Sequence, residues 1–471
     1  MKRIVLYSSN SKLRDKSSNC TVYPGWAKQW DEAAARRSDY EIWLVVQLNG
    51  RYFLDICDGK LVTEPERIHV KVLPMEAKLK EFVEAITAIR PDMAIAMPGP
   101  VSGYDWNGLR DAGIAEALRK KGIETVCYSG ETALNCFDKW RTHQILKANG
   151  FRIPEALYLH HELFTSSKQD AVSTGNVYQE YILWEVENMK MPVVIKSTTG
   201  SSSMGIHVSK DYEDAARYLL SGELLEDVLI EEFLEGEEYG AEIHGDRGHY
   251  VISPPYRIFN TVKGQLNDPL GATTLKYGPV LDEKLHVEDV SRELKRLADL
   301  MGFCGIVEVD LVLVKGEWYI LEINNRWSGL TTLITASQDR LPYDVYLDEA
   351  GSDRSDLNDT GNLNYALQFK MKEADADTIE RVSAEPGLKS VIQYEVRIPG
   401  KEPFSFNDAV MGGYASMGEL INGFEQLQLR YPEQIPEMLV QALKEKESGC
   451  VHGIVRADGI RQREIPDTGT A

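Results

Sequence analysis

Residues 307–326, VEVDLVLVKGEWYILEINNR, constrain the fold more than any other segment of this chain. Val307, Val309, Leu311 and Leu313 alternate with Glu308, Asp310 and Val312. Alternate residues of a strand share a face, so Glu308 and Asp310 point together. After a turn at Lys315, Gly316 and Glu317, Tyr319, Leu321 and Ile323 alternate with Trp318, Ile320, Glu322 and Asn324. Glu322 and Asn324 therefore also share a face. With Gly316 at the turn centre, Asp310 opposes Glu322 and Glu308 opposes Asn324. A two-residue turn would shift the register by one and leave both pairs diagonal. Opposed like charges destabilise a sheet unless something compensates. Asp310, Glu322 and the Asn324 amide are hard oxygen ligands suited to Mg²⁺, with Mn²⁺ as an alternative and phosphate oxygens completing the octahedron. A solvated polar face is the bland alternative, but the apolar neighbours imply a buried hairpin whose acids need a partner. Arg326 projects to the same side if the strand continues. There it could hold a carboxylate or a transferring phosphoryl group, or form a surface salt bridge.

A second signature is PVVIKSTTGSSSMG at residues 192–205. An apolar strand delivers Lys196 to a loop rich in glycine and serine. Glycine lets backbone N–H groups turn toward an anion, and Ser201, Ser202 and Ser203 add donors. Lys196 supplies a point charge for phosphate oxygens. The lysine precedes the glycines, so this is not the Walker arrangement. A flexible linker is the competing reading.

The chain has 471 residues, roughly three domains at ~150 residues each. Lys and Arg total 52 against 73 Asp and Glu, a net charge of −21. That balance excludes a protein that coats nucleic acid, which needs a positive field. It leaves room for a small anionic ligand in a locally basic site. No apolar run approaches the ~20 residues of a membrane span, and MKRIVLYSS reads as a first strand, not a signal peptide. Cys20, Cys57, Cys127, Cys136, Cys304 and Cys450 are scattered without CxxC spacing, as expected for reduced thiols in a cytoplasmic protein.

Up to residue 135 strand and helix signals alternate: apolar runs at 4–7, 42–48 and 93–97, and helical periodicity at 79–89 and 109–121 closed by Pro91 and Gly122. This predicts an open parallel sheet with helices on both faces. The loop 98–108, PGPVSGYDWNG, follows the strand at 93–97, where such sheets bind ligands, so it is either a substrate site or a plain connection. Val287, Val290, Leu294, Leu297 and Met301 predict a helix closed by Gly302. The polar stretch 351–362 reads as a domain boundary. Short strands, one at 391–396, and a helix near 438–446 are expected beyond it.

The two signatures, in this order and spacing, resemble the ATP-grasp superfamily of carboxylate–amine ligases. LIEEFLEGEEYGAE (229–242) is similar to that family's hinge between two nucleotide-gripping lobes. The resemblance implies that the backbone around Glu232, Phe233 and Leu234 meets the adenine edge, that Glu231 assists from its side chain and that Glu238 binds the ribose. FDKWRTHQILKANGFRIPEAL (137–157) resembles the family's leading helix, in which Lys139 meets the phosphates. The likeness runs by motif over 136–330 and in outline over most of the chain. It implies an N-terminal α/β domain (1–135), a two-lobed ATP domain (136–350, with a lid near 176–236) and a C-terminal α+β domain (351–471).

EINNRWSG is similar to the E-x-N-x-R pattern of amino-acid and dipeptide ligases, with Asn325 where proline is usual. The segments EPGLKSVIQYEVRIPG and GGYASMGELINGF also look like their closing domain. Glycinamide ribonucleotide synthetases share the architecture, although WSGLTT departs from their acidic continuation. Biotin carboxylases and D-alanine ligases fit less well. The resemblance implies amide or peptide bond formation through an acyl phosphate, from a small carboxylate and a small amine. It assigns Lys139 and Lys196 to the phosphates and Arg326 to the acyl phosphate. Homodimers are common among such enzymes. Arg257 could grip a substrate carboxylate or be structural, and Glu308 could orient an ammonium, serve a second metal or be structural. A nucleotide-binding regulator without ligation is the reading from another class.

Overall fold

The computed structural model describes residues 1–9, 18–47, 53–57, 60–99, 107–166, 175–199, 206–246, 248–260, 274–351, 363–396 and 404–447. Ser201, Ser202 and Ser203, most of the loop 98–108 and nearly all of the link 351–362 lie outside these residues.

The first sheet is parallel throughout. Its order is His69–Leu73, Tyr40–Gln47, Lys2–Ser8, Met93–Ala96, Glu124–Val126. Strand alternation divides the core in two. Ile4 and Leu6 enter one cluster, with Trp26, Trp30 and Ala33 of helix Trp26–Ala35. Val5 and Tyr7 enter the other, with Phe82 and Ile86 of helix Leu79–Ile89 and Ala112, Ala115 and Leu118 of helix Asn107–Lys120. Both faces are thus covered, as parallel sheets require.

A second sheet is four-stranded and antiparallel, in the order His207–Ser209, Val193–Ser197, Val228–Glu232, Ala156–Leu159; it spans the segment where a lid was expected. Helices Val177–Glu187 and Tyr212–Leu220 bury Ile182, Val186, Ala215 and Leu219 against it. Its strand Ala156–Leu159 lies before residue 176, where the sequence placed the start of the lid.

The largest sheet has ten strands. It runs from Glu317–Asn324 through Cys304–Val314, Glu237–Asp246, Tyr256–Asn260 and Thr274–Gly278 to Tyr365–Met371, Phe404–Tyr414, Leu388–Val396 and Ser18–Tyr23, with His249–Ile252 beside Glu237–Asp246. Its last strand comes from the start of the chain and closes the edge beside Leu388–Val396. One face packs on helix Val287–Met301, which buries Val290, Leu294, Leu297 and Met301 and ends at left-handed Gly302 (φ 62°). Farther along, the same face is covered by helices Ala376–Ser383, Met417–Arg430 and Glu437–Glu447. The opposite face carries the acids of the hairpin and is partly covered by helix Gly329–Ser337, through Leu330, Leu333 and Ile334. No helix among the described residues is long and apolar enough to cross a membrane.

Candidate active site

The hairpin reaches its expected pairing by an unexpected route. Val314 pairs with Glu317, so the turn is the two-residue Lys315–Gly316, with φ of 50° and 87°. Two left-handed residues match the twist of the flanking strands. Such a turn alone would leave Asp310 diagonal to Glu322. A bulge between Asp310 and Leu311 makes Leu321 an extra residue and restores Asp310↔Glu322 and Glu308↔Asn324. The same bulge changes the alternation on that strand. Ile320 and Ile323 both enter the core behind the hairpin, so Ile320 does not share the face of Glu322 as simple alternation predicts.

The acids face one another with little water. Burial, then the charges of Glu308 and Glu322, holds Asp310 well above the usual carboxylate range. Glu308 is also raised, first by burial, with Lys276 and Arg326 opposing. Glu322 behaves oppositely. Burial raises it, but Lys139, Lys196 and Arg326 outweigh burial and lower it. Asn324 donates through Nδ2 to Glu308 and to Asp310, 3.2 Å each, while its Oδ1 accepts from Arg326 at 3.1 Å. In this rotamer the amide nitrogen faces the acids, and a half-turn of the amide would bring its oxygen to them. No three acidic, histidine or cysteine side chains among the described residues close on one point. Two opposed carboxylates and one amide nevertheless fit Mg²⁺, which is held by one or two carboxylates and takes other ligands from substrate phosphates.

A cleft opens beside these acids. Helix Lys139–Ala148 supplies Lys139, Thr142 and His143, the lid sheet supplies Lys196 and Glu231, and the hairpin supplies Leu321 and Glu322. Asp138 caps the helix by accepting from Trp140 and Arg141. The Lys139 N–H donates to the Thr198 carbonyl at 2.8 Å, so the helix start is tied to the glycine-serine loop. Lys139 Nζ lies 3.3 Å from Glu322. Lys196 Nζ lies 2.6 Å from Glu231, with both side chains less than one-tenth exposed (9% and 7%). Burial lowers Lys196, yet Glu231 and Glu322 raise it further, so it stays charged. A buried pair of this kind is stable only while both partners remain.

Other residues of interest do not line this cleft. The N–H groups of Glu232 and Phe233 already donate to the carbonyls of Glu155 and Pro192, so a base contact there cannot use them. Leu234 follows in the same turn. Glu238 lies on the face of Asp310, and desolvation by the protein around it raises its carboxyl while Lys276 opposes. Arg257 is a correction. It pairs in register with Tyr239, whose ring enters the core on the face opposite Asp310 and Glu322. Its guanidinium binds Glu237 and lies 5.9 Å from the centre of the Tyr239 ring. Strand alternation therefore takes it out of reach of the acids. Trp26, Trp30 and Trp327 pack in the N-terminal core, where Trp30 stacks on Tyr343 at 3.6 Å.

Three features have no counterpart in the sequence reading. Lys276, on Thr274–Gly278, is the strongest positive charge felt by Glu308 and Asp310. His143 is 5% exposed, with its Nε2 unpartnered in the cavity wall, and burial followed by Lys147 lowers it to about 4. Glu242 is fully buried and accepts from Thr331, Ser328 and His244. It thereby anchors the start of helix Gly329–Ser337, just after Arg326. None of these has a local sequence signal, because each depends on strands paired far along the chain.

A family profile described as the ATP-grasp domain matches residues 136–330. Those residues contain both lysines, the hinge and the hairpin acids.

Residues 136–330 are an ATP-grasp domain.

Curated relatives agree, although they overlap only in part. The carbamoyl-phosphate synthase of Methanobrevibacter smithii is 34% identical over 32% of this chain and 40% of its own length. The D-alanine–D-alanine ligase of Desulforudis audaxviator is 29% identical over 49% of this chain and 69% of its own length. Among solved structures, the L-amino acid ligase from Bacillus licheniformis has a TM-score of 0.61 at 17% identity, covering 91% of this chain and 97% of its own. The N5-carboxyaminoimidazole ribonucleotide synthetase from Thermotoga maritima has a TM-score of 0.56 at 15% identity, covering 91% and 98%. At these identities the structural likeness establishes the shared ATP-grasp fold. It extends beyond residues 136–330 to the sheets on either side.

Proposed function

We propose that this protein is an ATP-dependent ligase that joins a carboxylate, most simply an amino acid, to an amine and releases ADP and phosphate. The observation that carries the reading is the convergence of Lys139, Lys196, Glu322 and Asp310, with Arg326 at the hairpin end, around one cleft between lid and sheet. The D-alanine–D-alanine ligase name of a curated relative points the same way, as does the E-x-N-x-R pattern.

In this reading a carboxylate oxygen of the first substrate attacks the γ-phosphorus of ATP. The bond to ADP breaks, and an acyl phosphate forms. The amine of the second substrate then attacks the acyl carbon, and phosphate leaves with the amine proton lost to solvent or a base. Lys139 and Lys196 hold the phosphate oxygens, and Glu231 keeps Lys196 charged and aimed. The Glu232 and Phe233 carbonyls and the Leu234 N–H meet the adenine, since the other two N–H groups are already taken; Glu238 holds the ribose, and Ser201, Ser202 and Ser203 the phosphates. Mg²⁺ held by Asp310, Glu322 and Asn324 would supply charge neutralisation at the phosphate oxygens. Arg326 touches the acyl phosphate and the oxyanion that follows. Glu308, bonded to Asn324 and Ser328, serves as a positioning residue for that pair. The enzyme would work in the cytoplasm, with a homodimer as the simplest assembly.

The test is ADP and phosphate release by the purified protein with paired amino acids and small carboxylic acids, and the mass of the product. A mass equal to acid plus amine minus water is the expected result. ATP binding without turnover across the whole panel would replace the ligase with a nucleotide-binding regulator.

A further inference from the structure

Glu242 is an acid that the ligation scheme leaves unused, and it is fully buried. Register sets its position. Glu242 opposes Glu308, and Glu308 opposes Asn324, so the three form one row across three strands. The next residue, Ile243, enters the core on the other face of the sheet. Opposed carboxyls destabilise a sheet unless something compensates. Here the compensation is a set of donors. His244 donates from Nε2 to one carboxyl oxygen of Glu242 at 2.8 Å. The hydroxyls of Thr331 and, at 3.3 Å, Ser328 donate to the other oxygen. Ser328 also bonds Glu308, so one serine ties two acids of the row together.

These bonds govern a segment that has no strand or helix of its own. Residues 325–328 leave the hairpin after Asn324 and reach helix Gly329–Ser337 without regular structure. The Arg326 N–H donates to the Asn324 carbonyl at 2.8 Å, and the Trp327 N–H to the Pro98 carbonyl at 3.0 Å. The Ser328 N–H donates to Thr331 Oγ1 at 3.1 Å, and Ser328 Oγ accepts from the Leu330 N–H at 3.0 Å. The chain therefore returns across the row, from Asn324 to a serine bonded to Glu308 and Glu242. Arg326 lies midway along that return, where its Nη2 donates to Asn324 Oδ1 at 3.1 Å. Buried acids are a poor source of stability, since apolar residues of the same volume do as well or better. What a satisfied polar network supplies is one fixed geometry.

We propose that Glu242 is a positioning residue for the ligation step: seated by His244, it holds Ser328 and Thr331, so that residues 325–328 turn back across the hairpin and keep Arg326 beside Asn324. The chemical role of Arg326 rests on the ligase reading; its placement by Glu242 does not. Fully buried, Glu242 itself reaches no ligand. Its loss therefore slows the step that Arg326 serves and leaves the hold on the nucleotide to Lys139 and Lys196.

The experiment compares Glu242→Leu and Glu242→Gln with the wild-type full chain. It reads ADP release with pairs of acids and amines, and hydrogen exchange at the Arg326 and Trp327 amides. In Glu242→Leu both hydroxyls lose their acceptor, and kcat should fall about 10-fold to 100-fold. KM for ATP should stay within about threefold, the mark of an interaction that matters in the transition state. The Arg326 and Trp327 amides keep their own acceptors, yet should exchange about tenfold faster or more. Glu242→Gln keeps an oxygen for the two hydroxyls, and its N–H can donate to the other tautomer of His244. It should recover kcat to within about threefold, with wild-type exchange at both amides. Thr331→Val has the shape of threonine without its hydroxyl; it removes the same bond from the other side and carries the same expected losses if Glu242→Leu does not fold. Unchanged kcat, unchanged exchange, or a glutamine variant as slow as the leucine variant overturns the positioning role. Wild-type turnover separates the two claims. No ADP release with any pair sinks the ligase reading, and the exchange rates alone then decide whether Glu242 places Arg326.

Discussion

Single side chains show how unevenly charge is distributed in this molecule. Glu231 and Lys196 neutralise one another, while Asp310 sits against Glu308 and Glu322 and is held well above the usual range by burial and those charges. Such a concentration of acid is retained at the expense of stability, a familiar trade at functional sites. Arg257, read as either a substrate ligand or a structural arginine, pairs with Glu237 and lies over the Tyr239 ring, which favours the structural reading. Arg257→Met should retain turnover within about threefold and lower stability by about 1 kcal/mol, the worth of a partly exposed ion pair and a cation–π contact. Steady-state kinetics and urea unfolding check it; a 100-fold loss of turnover would return Arg257 to the site. Asp111 gives a prediction in pH. It is fully buried, accepts from the Ser9 N–H at 2.9 Å, and burial pushes it from 3.8 up to about 6. The folded state thus keeps the proton longer than the unfolded state. Stability from this group is full below about pH 3.8 and is lost as pH rises through about 6. The loss is about 3 kcal/mol, at ~1.4 kcal/mol for each tenfold difference in proton affinity between the two states. Asp111→Asn keeps the acceptor but cannot ionise, so its stability relative to wild type should climb between about pH 4 and pH 7. A constant difference across that range would contradict this.

At the level of elements, a sequence pattern and its physical realisation can agree for different reasons. Alternation along 307–326 identifies the two acid pairs, but the turn it implies is not the turn that forms. Lys315–Gly316 is one residue shorter, and the bulge at Leu321 restores the register. A bulge leaves no mark in a hydrophobic pattern, because Ile320, Leu321 and Ile323 are all apolar. The helices were easier. Leu79–Ile89 and Val287–Met301 end where Pro91 and Gly302 signalled, since capping is local chemistry. The connection from lid to body turns on Gly236, between Val228–Glu232 and Glu237–Asp246. A Cβ there would lie 2.5 Å from the Leu313 carbonyl oxygen, and that backbone cannot yield. Gly236→Ala should cost roughly 1–3 kcal/mol and weaken binding of an ATP analogue, because Phe233 and Leu234 belong to the same turn. A melting temperature and an affinity equal to wild type would show that the close approach has no consequence.

Across the whole molecule, what escaped the sequence is what long-range pairing decides. Strand Ser18–Tyr23 crosses from the first segment to the far edge of the ten-stranded sheet, against residues about 370 positions away. Lys276 faces the hairpin acids because Tyr256–Asn260 and Glu237–Asp246 lie between them in strand order. The parallel N-terminal sheet and the hairpin's carboxylate face were legible, because both rest on local periodicity. The cleft lined by Lys139, Lys196, Glu231 and Glu322 brings together residues that the family resemblance names, and phosphoryl transfer to a carboxylate there remains the proposal. The most direct measurement follows an oxygen atom. With a substrate acid labelled with ¹⁸O in its carboxylate, an acyl phosphate intermediate requires that the released phosphate carry one labelled oxygen from each ligation. Asp310→Asn should stop that release while leaving the protein folded. Unlabelled phosphate, formed at the same rate with and without the acid, would contradict the account.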